Sequence, residues 1–169
     1  FTTSEKLQRH IRCLLDNGSM YLVYNGNLLF HASVPMNPDG TLKEVYLHDG
    51  HYKGRALLDK VDSLIRHACN PDCEPQLHAF AVDYLWYLWC GKDAPTFDKD
   101  RMATFERYFL KDKAVMKENK GSYYTLRNED STADLLLSEF GVEGDHRHII
   151  NGHIPVKPLK GENPMKAGG

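Results

Sequence analysis

Residues 20–31 read Met20-Tyr21-Leu22-Val23-Tyr24-Asn25-Gly26-Asn27-Leu28-Leu29-Phe30-His31, and this stretch decides the sheet. Asn25-Gly26 supplies the positive φ angles of a two-residue turn, so the apolar runs beside it predict a β-hairpin. The second run, Leu28-Leu29-Phe30, is apolar on both faces, which is typical of a strand inside a sheet. This strand delivers His31 at its carboxyl end.

A second strand is predicted near the other end of the chain. His148-Ile149-Ile150-Asn151 runs into Gly152-His153. His31 and His153 thus each follow an apolar strand where the chain leaves the sheet, which is the place where α/β proteins put ligand groups. Two interpretations stay open from the residues alone: metal ligation and an ordinary hydrogen-bonded histidine.

Helices are predicted from apolar residues at helical spacing and from turn residues that end each run. The third predicted helix, over about 75–90, carries Trp86 and Trp89 and has hardly a polar face. We therefore expect it to be buried or to contact another part of the protein. The last begins with a capping box formed by Ser131 and Asp134. The predicted helices are one closed by Gly18, one from Lys53 to the residue before Asn70-Pro71, and those over about 75–90, 101–110 and 131–140; a short strand is predicted over 44–47.

Composition limits the classes of function. At about 150 residues per domain, 169 residues predict one unit over 1–169 with no domain boundary. Twenty-one basic residues against 23 acidic ones give a net charge of −2, which argues against nucleic acid as a partner. No apolar run is long enough to cross a membrane, and four cysteines are too few to suggest a disulfide framework. We therefore expect a cytoplasmic protein with reduced thiols.

Three other clusters contain residue types that bind metals. Cys69 and Cys73 are spaced more widely than a zinc knuckle and have no second pair, so they are interpreted as solvated thiols. His48 with His51, and His146 with His148, are interpreted as surface residues. The motif G-D-x-x-D-R-G, whose carboxylates bridge two metal ions, does not occur in the sequence, and the D-x-H spacing occurs once, at Asp49-Gly50-His51 in the segment interpreted as surface.

The stretch from Lys92 to Arg127 has nine basic and six acidic residues. Arginine offers a planar fork to phosphate and lysine a point charge, so this stretch could hold a sugar phosphate. A solvated face with internal ion pairs is the alternative interpretation.

Six stretches follow one another in the order of a known family. They are NGNLLFH (25–31), HYKGRALLD (51–59), WYLWCGK (86–92), MATFERYF (102–109), HIINGHIPVK (148–157) and KGENP (160–164). Together they resemble the class 3, Firmicutes-type fructose-1,6-bisphosphatases, a branch of the calcineurin-like metallophosphatases. The resemblance implies the helix-rich α/β portion of a two-sheet sandwich flanked by helices, with an incomplete core and a helical and basic excursion at about 50–130.

The resemblance also implies an activity and a site. The parent enzyme would hydrolyse fructose 1,6-bisphosphate to fructose 6-phosphate and phosphate in gluconeogenesis, using two divalent ions, expected to be Mn²⁺. His31 and His153 would each hold one ion. Arg101, Arg107, Lys111 and Lys113 would bind the phosphate that is not cleaved. The family's G-D-x-x-D-R-G and G-N-H-[DE] blocks are missing here, so we expect the latter part of the enzyme, inactive by itself.

Two alternatives remain open at this point. One is a non-catalytic module for homo-oligomerisation or effector binding, built on the aromatic third helix and the long excursion. The other is a metallophosphatase that acts on a different phosphomonoester.

Overall fold

A computed structural model describes residues 3–167, which form a mixed α/β fold. The strands are β1 (Tyr21–Tyr24), β2 (Asn27–Phe30), β3 (Val45–Leu47), β4 (Gly50–Tyr52) and β5 (His148–Asn151). The helices are α1 (Glu5–Asn17), α2 (Gly54–Ala68), α3 (Pro75–Cys90), α4 (Thr104–Phe109), α5 (Tyr123–Leu126) and α6 (Asp130–Glu139), followed by a short 3-10 helix, Pro158–Lys160. The predicted α/β class is confirmed.

The main sheet has three strands in the order β1-β2-β5. β1 and β2 form the predicted antiparallel hairpin, and the turn residues Asn25 and Gly26 have φ angles of 49° and 74°, as a tight hairpin turn requires. β5 lies parallel to β2, with Phe30 opposite Asn151. Because the carboxyl ends of parallel strands meet at one edge, the residues that follow β2 and β5 lie together.

The core lies between this sheet, α2 and α6. Leu28 of β2 and Leu57 and Val61 of α2 are fully buried, and Leu136 of α6 joins them. Each such side chain contributes about 1.5–3 kcal/mol when it leaves water. This packing holds the middle strand β2 in place, and with it the start of the His31 segment.

Some local predictions need correction. β3 pairs with β4 in a separate two-stranded sheet, whereas only the first of these strands was predicted. The predicted 101–110 helix is shorter, since α4 covers Thr104–Phe109. The predicted capping box at Ser131 is wrong, because Glu129 is the N-cap of α6 and no side chain caps it.

α3 was expected to be buried or to contact another part of the protein, and the structure buries only one of its faces. Ala81, Tyr84 and Leu88 are buried, and α3 packs against α2. Trp86 and Trp89 are 68% and 72% exposed, because no described element covers the face opposite α2. α3 has 16 residues, and no helix within residues 3–167 is both long and apolar enough to cross a membrane.

Candidate metal and phosphate site

The segments that follow β2 and β5 are joined by hydrogen bonds beyond the strand ladder. The backbone N–H of Gly152 donates to the carbonyl of His31 at 2.9 Å. The Asn151 side-chain Nδ2 donates to the carbonyl of Ala32 at 3.0 Å, in a partly buried position. These bonds continue the parallel pairing past the last strand residue and hold the two histidine segments in register.

The imidazole rings of His31 and His153 are in contact. His31 Nε2 lies 3.2 Å from His153 Nδ1, although the residues are 122 positions apart in the sequence. The ring centroids are 5.1 Å apart, and the rings cross at 74°. His153 has a φ angle of 61°, a backbone conformation that non-glycine residues adopt infrequently. The fold thus brings together the two histidines that each follow a predicted apolar strand.

The electrostatic surroundings favour the neutral form of His153. Its pKa is lowered first by burial, then by the neighbouring His31 and by the positive charge of Lys99. A neutral imidazole keeps a lone pair on one ring nitrogen, which is the form that binds a metal ion. The position therefore suits a ligand better than a cationic side chain.

Lys99 lies near His153, with the Phe97 ring between them. The Phe97 ring centroid is 6.2 Å from that of His153, and the Lys99 Nζ is 5.1 Å from the Phe97 centroid. Lys99 also forms an ion pair of 2.8 Å with Glu118. In the sequence Lys99 is only one member of the basic stretch, because its pairing with Glu118 is a tertiary contact that no local pattern predicts.

The four predicted phosphate-binding residues differ in their ion pairs. Arg107 Nη2 lies 3.7 Å from the Glu118 Oε1 atom, so Glu118 links Arg107 to Lys99. Arg101, Lys111 and Lys113 are exposed and make no ion pair with any residue in 3–167. The structure thus connects one of the four predicted residues to the lysine beside His153.

The other metal-binding residue types do not assemble into sites. Within the described part of the chain, no three side chains of His, Cys, Asp or Glu are grouped so that they could hold a metal ion. Cys73 Sγ lies 3.4 Å from His67 Nδ1, and this pair has no third ligand. The His31 and His153 pair is likewise only two ligands, so a complete metal centre there needs further donors.

A cavity of about 720 Å³ lies elsewhere, along β5 and α6. Its lining includes Arg147, which is paired with Asp134 at 2.9 Å, and it includes neither His31 nor His153. Its size alone does not make it the functional site.

Comparison with known proteins gives one consistent result. Residues 1–169 match the family model described as Firmicute fructose-1,6-bisphosphatase. The chain is 63% identical to the fructose-1,6-bisphosphatase class 3 of Phocaeicola vulgatus, covering all of this chain and 25% of that protein. The proteins of the same name from Bacteroides fragilis and Clostridium botulinum are 60% and 52% identical over all of this chain, which covers 26% and 25% of them. The chain therefore spans about a quarter of these relatives' length. No solved structure matches it.

Proposed function

The chain belongs to the Firmicute fructose-1,6-bisphosphatase family, and from this we propose that it is a segment of an enzyme that hydrolyses fructose 1,6-bisphosphate. The products are fructose 6-phosphate and phosphate, the reaction is the gluconeogenic one, and the enzyme acts in the cytoplasm. The segment forms part of a metallophosphatase sandwich as one unit over 1–169. Its helical and basic excursion at about 50–130 separates the strand before His31 from the strand before His153.

The second element of the proposal is that His31 and His153 are metal ligands, with Mn²⁺ as the expected ion. Two nitrogens that each lie about 2.1 Å from one ion, at an angle of about 90–110°, are about 3.0–3.4 Å apart. The observed separation of 3.2 Å between His31 Nε2 and His153 Nδ1 fits that range. This favours one ion shared by both histidines over the arrangement first implied by the resemblance, in which each histidine holds its own ion.

A pair of divalent ions, when bound, activates a water for attack on the phosphate and neutralises the charge that develops on its oxygens. The residues of this chain contribute orientation and charge around that reaction. Asn151 and Gly152 fix the two histidine segments relative to each other. Lys99, which is held by its ion pair with Glu118, adds a cationic donor near His153 for an anionic phosphate.

Arg101, Arg107, Lys111 and Lys113 are proposed to bind the phosphate that is not cleaved. Support comes from their position in the basic excursion and, for Arg107, from its link through Glu118 to Lys99. Reversing the charge at Arg107 or Lys111 is expected to raise KM for the bisphosphate far more than KM for an aryl phosphate, which has no second phosphate. Equal changes for both substrates would make these residues structural.

The observation that carries the proposal is the contact between two histidines at the ends of parallel strands in a chain of this family. The experiment measures phosphate release in an enzyme of the relatives' full length that carries this segment. Fructose 1,6-bisphosphate, other sugar phosphates and an aryl phosphate are compared as substrates. A preference of at least tenfold in kcat/KM for fructose 1,6-bisphosphate is expected, and preference for another phosphomonoester would overturn the substrate assignment.

A second role, homo-oligomerisation, is favoured by the exposed aromatic face of α3. Val82, Trp86 and Trp89 are 44%, 68% and 72% exposed, and large aromatic side chains are common at the centres of protein interfaces. Changing both tryptophans to serine in the full-length enzyme is expected to lower its molar mass in solution. An unchanged molar mass would remove this role.

A further inference from the structure

A small polar cavity adjoins the segment that follows β2. It has a volume of about 220 Å³, and its lining includes Asn37, Lys43, Lys92, Asp98, Lys99 and Lys120. One wall is formed where residues 98–100 lie antiparallel to residues 119–121, joined by the hydrogen bond from Gly121 N–H to the Asp98 carbonyl at 2.8 Å. The N–H of Ser33, two residues after His31, donates to the Pro95 carbonyl at 3.0 Å and ties this wall to the histidine segment.

Asp98 is an unusual residue for the wall of such a cavity. It is 2% exposed, has a φ angle of 46°, and its Oδ2 atom has no hydrogen-bond partner within residues 3–167. Burial is the main reason that its pKa is raised, and the neighbouring Ser33 hydroxyl opposes that rise only in part. The free oxygen of a buried carboxyl can bind a polar partner, as an acceptor when it is ionised and as a donor when it is protonated.

Two more buried polar atoms near Asp98 lack partners. The Ser33 Oγ and the Tyr124 hydroxyl belong to side chains that are 1% and 8% exposed, and neither makes a hydrogen bond of good geometry with any described residue. Tyr124 adjoins the cavity through Lys120, whose Nζ lies 5.6 Å from the Tyr124 ring centroid, and the negative charge of Asp98 contributes to the raised pKa of Tyr124. Because the Ser33 hydroxyl already acts on the Asp98 carboxyl, the unused hydrogen-bonding capacity lies mainly on Asp98 Oδ2 and the Tyr124 hydroxyl. Buried polar atoms are nearly always satisfied, so these two indicate a missing hydroxyl-bearing ligand or water.

The four lysines that line the cavity differ in whether a carboxylate neutralises their charge. Lys43 pairs with Asp93 at 2.7 Å and Lys99 with Glu118 at 2.8 Å. Lys92 and Lys120 have no carboxylate within 4.0 Å among residues 3–167, and both are exposed at the cavity. Asp100 also lines the cavity, and its carboxylate is occupied by the N–H and side-chain amide of Asn119. Lys120 Nζ lies over the Tyr124 ring at 5.6 Å from its centroid, a contact that leaves its charge uncompensated. Two lysines that no carboxylate neutralises favour an anionic group at this cavity.

We propose that this cavity binds the uncleaved end of the sugar bisphosphate, with its phosphate at Lys92 and Lys120 and a sugar hydroxyl at Asp98 and Ser33. The proposal rests on the proposed function and adds Lys92 and Lys120 to the residues that bind the uncleaved phosphate, since Glu118 links Arg107 to Lys99 in the cavity lining. The volume of 220 Å³ holds about seven waters at roughly 30 Å³ each, enough for a phosphate and the adjoining carbons. A ligand that contacts both the two lysines and the Asp98 and Ser33 pair must carry an anionic group and a hydroxyl.

The kinetic test uses two variants of the full-length enzyme. One is the double variant Lys92→Met, Lys120→Met, and the other is Asp98→Asn. Each is expected to raise KM for fructose 1,6-bisphosphate at least tenfold, to leave kcat within twofold, and to leave KM for p-nitrophenyl phosphate unchanged. Lys117→Met is the matched control, because Lys117 is an exposed lysine of the same segment that does not line the cavity. Equal rises for both substrates, or the same rise in Lys117→Met, would overturn the subsite.

A binding measurement separates failure of the subsite from failure of the proposed function. Calorimetry of fructose 6-phosphate with the metal-free, full-length enzyme is expected to show binding that weakens at least tenfold in the Lys92→Met, Lys120→Met variant and in Asp98→Asn. Binding with this pattern in an enzyme that does not hydrolyse the bisphosphate would keep the subsite and discard the reaction. Absence of fructose 6-phosphate binding to the wild type would leave the cavity a water site and overturn the proposal.

Discussion

The side-chain amide of Asn151 donates a hydrogen bond to the carbonyl of Ala32 at 3.0 Å, one residue beyond His31. Asn151 is the last residue of β5 and lies opposite Phe30, the last residue of β2. Together with the bond from Gly152 N–H to the His31 carbonyl, this contact joins the two segments whose imidazoles are 3.2 Å apart. It makes Asn151 a positioning residue for the histidine pair.

Asn151→Ala in the full-length enzyme is therefore expected to weaken metal binding. The half-saturating Mn²⁺ concentration for activity rises about tenfold, while the free energy of unfolding falls by about 1 kcal/mol, the ordinary cost of one hydrogen bond. Asn128→Ala is the control, because Asn128 also donates to a backbone carbonyl, that of Thr125 at 2.9 Å. If the two variants show the same metal dependence, Asn151 has no positioning role.

The hairpin and the helices were predictable because their rules are local. Asn25-Gly26 fixes its turn within two residues, and α3 runs over Pro75–Cys90 as its apolar run indicated. β4 and α5 were missed because three and four residues are too few to show a period. The exposure of Trp86 could not be predicted, since an apolar pattern does not say what covers it.

The candidate site was predictable in part for the same reason. His31 and His153 follow apolar strands, which a sequence shows directly. The pairing of β2 with β5, the Lys99 and Glu118 ion pair, and the burial of Asp98 are contacts between distant residues. Such contacts depend on the whole fold, so the sequence did not distinguish these residues from other charged ones.

The 169-residue chain alone is expected to release no phosphate from fructose 1,6-bisphosphate at Mn²⁺ concentrations up to about millimolar. Two neutral imidazoles cannot offset the repulsion between two divalent ions, which needs bridging carboxylates. No suitable group of three ligands occurs in residues 3–167. Metal-dependent phosphate release that disappears in a His31→Ala chain, used as the contamination control, would show a complete site in the chain.

Gly121→Ala is expected to destabilise the protein by about 1–3 kcal/mol. A Cβ at this position would meet the buried carboxyl of Asp98, and the short Asp98 side chain has little room to move. Asp98→Gly removes that carboxyl and suits the φ angle of 46° at this position, so the double variant is expected to recover most of the loss. Denaturant unfolding of the three variants measures this, and additive losses would disprove the contact.

Asp98 also predicts a pH dependence. Burial raises its pKa above the ordinary 3.8, so between these two values the folded state binds more protons than the unfolded state. The stability that Asp98 contributes is full below pH 3.8 and is lost as pH rises through the folded pKa. Asp98→Asn should therefore gain stability relative to the wild type as pH rises from about 4 towards neutral. A difference between the two proteins that does not change with pH would rule this out.

Counting bound metal shows whether His31 and His153 hold the same metal ion. Elemental analysis is made on the full-length enzyme, on His31→Ala, on His153→Ala and on the double variant, with unfolding free energies within about 2 kcal/mol as the check on folding. We predict that all three variants lose the same single equivalent of metal and most of the bisphosphatase activity. Loss of two equivalents in the double variant and one in each single variant, or no loss in any, would contradict the shared site.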